Sequence, residues 1–229
     1  MLEIRFVNRG YKENLVLVPG WATDYRIFSC LDLPYNYLLP SSYSPFGFAQ
    51  GLRQGLEKNG LAVVSILGWS MGGFLALDFC NANCGMVKEL FLLGIRKKYP
   101  HATLREINLK LVKNKNAWLY KFYQDLFAVK EAEGFSWFKK KLLKEYLGAM
   151  GLEDLIAGLE YLSRAEVRHE HFVKIDKLRI FHGAHDAVAP LVEAEELSFY
   201  HARAEFIRLE DSGHALFFNP DFRENFSHG

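Results

Sequence analysis

The chain has 229 residues, enough for one well-packed domain and too few for two comfortable ones. Half of them are hydrophobic and 24% are charged, a globular balance that excludes a disordered chain. With 28 basic and 27 acidic residues the net charge is +1, so the average surface offers nucleic acid no electrostatic hold.

Leu2–Val7 reads as an edge strand, and Leu15-Val16-Leu17-Val18, ended by Pro19-Gly20, as a strand buried on both faces. A helical stretch from about Thr23 into Leu31 is followed by a loose segment rich in Pro, Ser and Tyr up to Gly47. From Phe48 a helix runs to Lys58-Asn59-Gly60, with Gly60 in the usual stop position. Leu61–Leu67 is a second buried strand; it enters Gly68-Trp69-Ser70-Met71-Gly72-Gly73 and then a helix through Cys80. Val87–Gly94 is the next strand. From 96 to 165 the strand signal vanishes, and helical periodicity broken at Gly134, Gly148 and Gly151 predicts three or four short helices. Strands return at Leu178–His182 and Glu205–Leu209. Alternating buried strands and helices predict a mostly parallel sheet. The organisation is a core of 1–95 and 166–229 with a helical cap at 96–165.

Three cysteines, Cys30, Cys80 and Cys84, fit neither a disulfide framework nor a zinc pattern, and Cys80 and Cys84 read as small buried hydrophobes. No metal site is expected. Met1–Phe6 lacks a signal peptide's basic start and apolar run, and no stretch approaches a membrane span. A reduced cytoplasmic protein is the expectation.

Gly68-Trp69-Ser70-Met71-Gly72 matches G-x-S-x-G where a buried strand meets a helix. A tight turn there exposes the serine, and the helix N-terminus behind it favours developing negative charge. Such a serine needs a base, and the base a carboxylate that fixes its tautomer. In this architecture they follow the last strands. Asp186 follows Leu178–His182, and His214 follows Glu205–Leu209 in Ser212-Gly213-His214. His182 and His185 read as structural, Asp211 as a turn residue, and Asp176 lies at the wrong end of its strand; His101, His169, His171, His201 and His228 have no strand-end context. The oxyanion donors expected are the backbone N–H groups of Met71 and of Trp21, whose ring would also stand at the site entrance.

These segments together resemble the α/β-hydrolase superfamily over essentially the whole chain. More narrowly, Val18-Pro19-Gly20-Trp21, Gly68–Gly73 and Ser212-Gly213-His214-Ala215-Leu216-Phe217-Phe218-Asn219-Pro220 resemble the pimeloyl-[acyl-carrier protein] methyl ester esterases of biotin synthesis. The resemblance implies Ser70 as nucleophile, Asp186 and His214 as its partners, Trp21 and Met71 as oxyanion donors, and Trp69 facing the acyl pocket. It implies no cofactor. Pro19-Gly20 stands where that family has His-Gly, and only 15 residues follow His214, which curtails the usual final helix.

The cap holds 14 basic and 8 acidic residues, a balance of +6 against −5 for the rest. Arg96, Lys97, Lys98, Lys110, Lys113, Lys115, Lys121, Lys139, Lys140 and Lys141 could steer an acidic acyl-carrier protein onto the site or merely be solvated. Trp118, Phe122 and Phe127 read first as cap packing and second as pocket lining. The function expected is a serine carboxylic-ester hydrolase. Its rivals are a generalist small-molecule esterase or lactonase, and a non-catalytic binding protein on the same scaffold.

Overall fold

The structure is a computed structural model that describes residues 2–227, Ser227 through its backbone only; His228 lies outside the described residues. Seven strands form one sheet: β1 Glu3–Val7, β2 Asn14–Val18, β3 Asn36–Ser41, β4 Val64–Trp69, β5 Val87–Leu93, β6 Leu178–Gly183 and β7 Glu205–Leu209. Their order is β1-β3-β2-β4-β5-β6-β7, parallel throughout except for β1, which runs antiparallel to β3 at one edge. The register aligns Val16 with Ile66, Ile66 with Leu90, Leu92 with Ile180 and Ile180 with Phe206. The central strands β2, β4 and β6 are buried almost end to end, which is why they read as continuous apolar runs rather than alternating ones.

β3 falls inside the segment expected to be loose. Only Tyr37, Leu38 and Leu39 carry an apolar signal there, and Pro40 argues against a strand. The structure tolerates Pro40 because pairing with β2 ends at Leu38, so no ladder bond to β2 is lost. The helix expected over Thr23–Leu31 is a shorter 3-10 turn at Tyr25–Cys30, whose start is capped by the Asp24 side chain accepting from the Arg26 N–H. Helix α1, Phe48–Lys58, buries Phe48, Leu52 and Leu56, and α2, Met71–Ala82, follows β4. Cys80 is buried, but Cys84 and Cys30 are exposed, and all three are free thiols.

The helices between β5 and β6 form the cap. Helix α3, His101–Asp125, breaks its helical geometry at Asn114. Helix α4, Ala132–Phe138, passes through a π turn at Lys139–Leu143 into α5, Lys144–Ala149, and α6, Leu152–Arg164, completes the insert. Gly134 therefore lies inside a helix rather than at a break, where its bare Cα lets Phe218 approach. Gly148 and Gly151 do sit at helix ends.

Several hydrogen bonds from aromatic side chains hold the cap to the core. Trp21 Nε1 donates to the Leu155 carbonyl at 2.9 Å, and the Tyr123 hydroxyl donates to the Ala22 carbonyl at 2.6 Å. The Tyr146 hydroxyl donates to Asp24 at 3.1 Å and that of Tyr161 to Asp78 at 2.6 Å. At about 0.5–1.5 kcal/mol net for each such bond, the cap is docked by several kcal/mol before packing is counted. After β6 come α7, Leu191–Ser198, and after β7 a closing helix α8, Pro220–Ser227. The short tail thus still provides a two-turn helix, which buries Phe222 and Phe226 against Phe181. No helix among the described residues is long and apolar enough to cross a membrane.

Candidate active site

Ser70 stands at the junction of β4 and α2 with φ 55° and ψ −120°, a strained conformation for a non-glycine residue. The turn is so tight that a Cβ on Gly72 would lie 2.1 Å from the Val18 carbonyl oxygen, so only glycine fits that position. The strain is held by packing from both neighbouring strands. The Ser70 N–H donates to the Leu93 carbonyl at 2.8 Å, and the Pro19–Gly20 turn after β2 presses on the elbow from the other side. Pro19 therefore leaves that turn against the serine. Met71 is the first residue of α2, so its N–H has no partner within the helix.

Asp186 follows β6 and its carboxylate is fully buried. Oδ1 accepts the N–H groups of Val188 and Ala189, each at 2.8 Å, and Oδ2 lies 2.7 Å from His214 Nδ1. Burial alone would push this carboxyl up; the neighbouring His214, its hydrogen bond and His182 outweigh that and hold it below the usual carboxylate range. His214 is 1% exposed, and its ring lies over Gly94 at the end of β5. Its outer nitrogen, Nε2, is buried and has no hydrogen-bond partner among the described residues. With Nδ1 turned to the carboxylate, Nε2 carries the free lone pair, which suits a base.

Ser70, Asp186 and His214 thus lie at one end of the adjacent strands β4, β5 and β6. His182, expected to be structural, is completely buried at the end of β6 and meets the Ala189 carbonyl at 2.9 Å. Burial drives its pKa down, and its ring supports the loop of Asp186. Asp211 forms a surface pair with Lys130.

Trp69 departs from expectation. Its ring does not face a substrate pocket: it is 1% exposed, enclosed by Phe28, Phe217 and His214. Its Nε1 donates to the His214 carbonyl at 2.8 Å. The Gly20 turn closes over the ring as well: a Cβ there would lie 3.2 Å from it. Trp69 is a prop beneath the histidine.

Between core and cap lies a cavity of about 170 Å³ that reaches Ser70. Trp21, Tyr99, Leu104, Ile107, Trp118 and Phe122 are among its lining residues. Trp118 and Phe122 therefore line the pocket, whereas Phe127 packs away from it on Phe135, Phe138 and Phe218. The Trp21 ring is a buried wall of this cavity rather than a gatepost at its mouth. Arg96 also reaches the wall, but its charge is neutralised by Glu193 at 2.5 Å. Lys139, Lys140 and Lys141 lie elsewhere: all are exposed, and Lys139 rests over the Phe135 ring.

Two residues of the site carry no sequence signal. The Tyr99 hydroxyl stands beside that of Ser70, and burial pushes its phenol up to about 12. Glu131, on the cap, is 6% exposed and accepts hydrogen bonds from Ser212 and Gly213 in the loop of His214.

The fold is shared with solved structures. An esterase from Exiguobacterium antarcticum superposes with TM-score 0.81 at 22% identity, covering 98% of this chain and 92% of that one. An enol-lactonase from Burkholderia xenovorans gives TM-score 0.80 at 16% identity over 98% and 93% of the two chains, and a bromoperoxidase from Bacillus anthracis 0.81 at 16% over the same shares. No protein-family model matches the sequence, and no curated protein matches it. At these identities the likeness establishes the α/β-hydrolase fold, and the chemistry must be argued from the site.

Proposed function

We propose that this protein is a serine hydrolase of carboxylic esters. One observation carries the reading: a strained, cavity-facing serine shares its end of the sheet with a histidine whose Nδ1 is fixed by a buried carboxylate and whose Nε2 has no partner among the described residues. That arrangement serves nucleophilic acyl transfer. Ser70 Oγ attacks the ester carbonyl carbon as His214 Nε2 takes its proton. The N–H groups of Met71 and Trp21 receive the oxyanion. The proton then passes to the departing alkoxide, leaving an acyl-enzyme. Water, deprotonated by the same histidine, releases the acid and restores Ser70.

The cavity narrows the substrate. Its volume of about 170 Å³ falls below the roughly 300–1,000 Å³ of drug-sized ligand sites, and its wall is mostly aliphatic and aromatic. A compact, apolar acyl group fits it. Wild-type protein is expected to be labelled stoichiometrically by a fluorophosphonate and to give a burst of p-nitrophenol from the acetate ester. Ser70→Ala should lose both. Labelling or full turnover in that variant would remove the mechanism.

A second reading is the methyl ester of a pimeloyl chain on an acidic carrier protein. Two things favour it, the local motifs of the sequence and the exposed lysines Lys139, Lys140, Lys141 and Lys144, none of which has an ion-pair partner among the described residues. These lysines stand apart from the cavity wall, so they would receive the carrier and not its acyl chain.

A further inference from the structure

The loop carrying His214 is fastened to the cap more thoroughly than a surface turn requires. Glu131 Oε1 accepts the Ser212 hydroxyl at 2.7 Å, and Oε2 accepts the Gly213 N–H at 2.9 Å together with the Ala128 N–H of its own turn at 2.8 Å. On the other side of the histidine, the Ala215 N–H donates to the Leu126 carbonyl at 2.8 Å. The cap thus grips the residues immediately before and after His214. Fit enforces the same register: a Cβ on Gly213 would lie 2.6 Å from the Ala128 nitrogen and 2.9 Å from the Leu126 carbonyl oxygen. From the core side, Trp69 holds the His214 carbonyl, and the His185 N–H donates to the Ser212 carbonyl at 2.9 Å.

Glu131 is an unusual residue to spend on a turn. Its carboxylate is buried, and no cation lies within ion-pair distance of it among the described residues. Isolated buried carboxylates are costly, and a Ser or Asp cap would satisfy the Ala128 N–H alone. Only a side chain with two acceptor oxygens and the reach of glutamate also meets Ser212 and Gly213. Those two partners, 81 and 82 residues away, have in common only that they precede the histidine.

We infer that Glu131 is a positioning residue: through Ser212 and Gly213 it holds His214 at the setting needed to act on Ser70, which makes the docked cap part of the catalytic apparatus. The inference rests on the ester-hydrolase reading for its kinetic consequence, but its geometric content stands apart from that reading. A histidine released by an ångström loses alignment with its serine, and misplacement on that scale costs about 100-fold in rate.

The test uses Glu131→Ala and Glu131→Gln in the full chain, with three readouts: kcat and KM on p-nitrophenyl acetate, the low-field proton NMR signal of the His214 Nδ1–H bound to Asp186, and the melting temperature. In Glu131→Ala, kcat should fall by about 10- to 100-fold with KM within about twofold, and the low-field proton should be lost to exchange. Glu131→Gln keeps one acceptor for the two N–H groups and can donate to Ser212 Oγ, so it should restore both. The inference is overturned if folded Glu131→Ala keeps its rate and proton signal, or if Glu131→Gln is as damaged as alanine. Should the alanine variant fail to fold, Ser212→Ala decides: a several-fold loss of kcat at unchanged melting temperature supports the clamp, and an unchanged kcat refutes it. If the wild type shows neither turnover nor labelling, the hydrolase reading falls, and the proton signal alone judges the clamp.

Discussion

Asp186 and Glu131 are both buried carboxyls near one histidine, and their surroundings drive them in opposite directions. Asp186 is held below its usual range by His214 against the cost of burial, so its contribution to stability is present above the ordinary aspartate value of about 3.9 and disappears as pH falls through its lower folded value. Burial raises Glu131 more than its three hydrogen bonds lower it. The sign reverses: stability is full below the ordinary glutamate value of about 4.3 and is lost as pH rises through the higher folded value. Glu131→Gln removes that titration while keeping the acceptor. Its melting temperature should therefore gain on the wild type as pH rises from about 4.3 toward neutrality. Parallel melting curves across that range would show that Glu131 does not titrate in a buried setting. Ser70, Asp186 and His214 stand out in the sequence because each follows a strand, in a fixed chain order. Glu131 does not, because one acid among eight in the cap acquires meaning only from residues more than 80 positions away.

The elements divide the labour between rigidity and selectivity. Strands β4, β5 and β6 carry or border Ser70, Asp186 and His214, whereas α3 and α6 supply much of the cavity wall through Leu104, Ile107, Trp118, Phe122, Leu159 and Leu162. The kink at Asn114 lets both halves of α3 contribute to that wall, which a straight 25-residue helix could not do. Phe122 is half-buried and meets the Trp21 ring edge-on at 5.1 Å. Phe122→Ala should enlarge the pocket and shift preference toward longer acyl chains, measured as kcat/KM across acetate, butyrate and hexanoate esters. Its stability cost should be about 2 kcal/mol, less than the 3–5 of a fully buried phenylalanine. An unchanged chain-length profile would place the acyl group elsewhere. The elements that the sequence misjudged were those with local signals at odds with their tertiary role: β3, with Pro40, and Gly134 inside α4.

For the molecule as a whole, the net charge of +1 conceals a cap of +6 on a core of −5. Much of the cap's charge is spent locally. Lys110 pairs with Glu106, Lys121 with Asp125, Arg164 with Glu160 and Arg96 with Glu193. The exposed ones among these pairs contribute little to stability, and the pairings together leave Lys139, Lys140, Lys141 and Lys144 as the concentrated positive feature. If an acidic carrier docks there, turnover of its tethered methyl ester should fall steeply between low and high salt, as screening shortens the Debye length to about 8 Å at 0.15 M. Reversing Lys139, Lys140 and Lys141 to Glu should do the same, with hydrolysis of free short esters untouched. Equal salt response of carrier-bound and free substrates would discard the carrier.

The sequence by itself determined the sheet's buried strands, the turn that carries Ser70, and the places of Asp186 and His214 after later strands. Each of these is written in a few adjacent residues: an apolar run, a glycine where no side chain fits, a polar group at a strand end. The tertiary structure alone decided that Trp69 props the histidine, that Tyr99 borders the serine, and that the cap reaches across through Glu131 to hold the loop of His214. These are contacts between segments distant in the chain, and no local pattern of residue types encodes which distant surfaces will meet when the core closes.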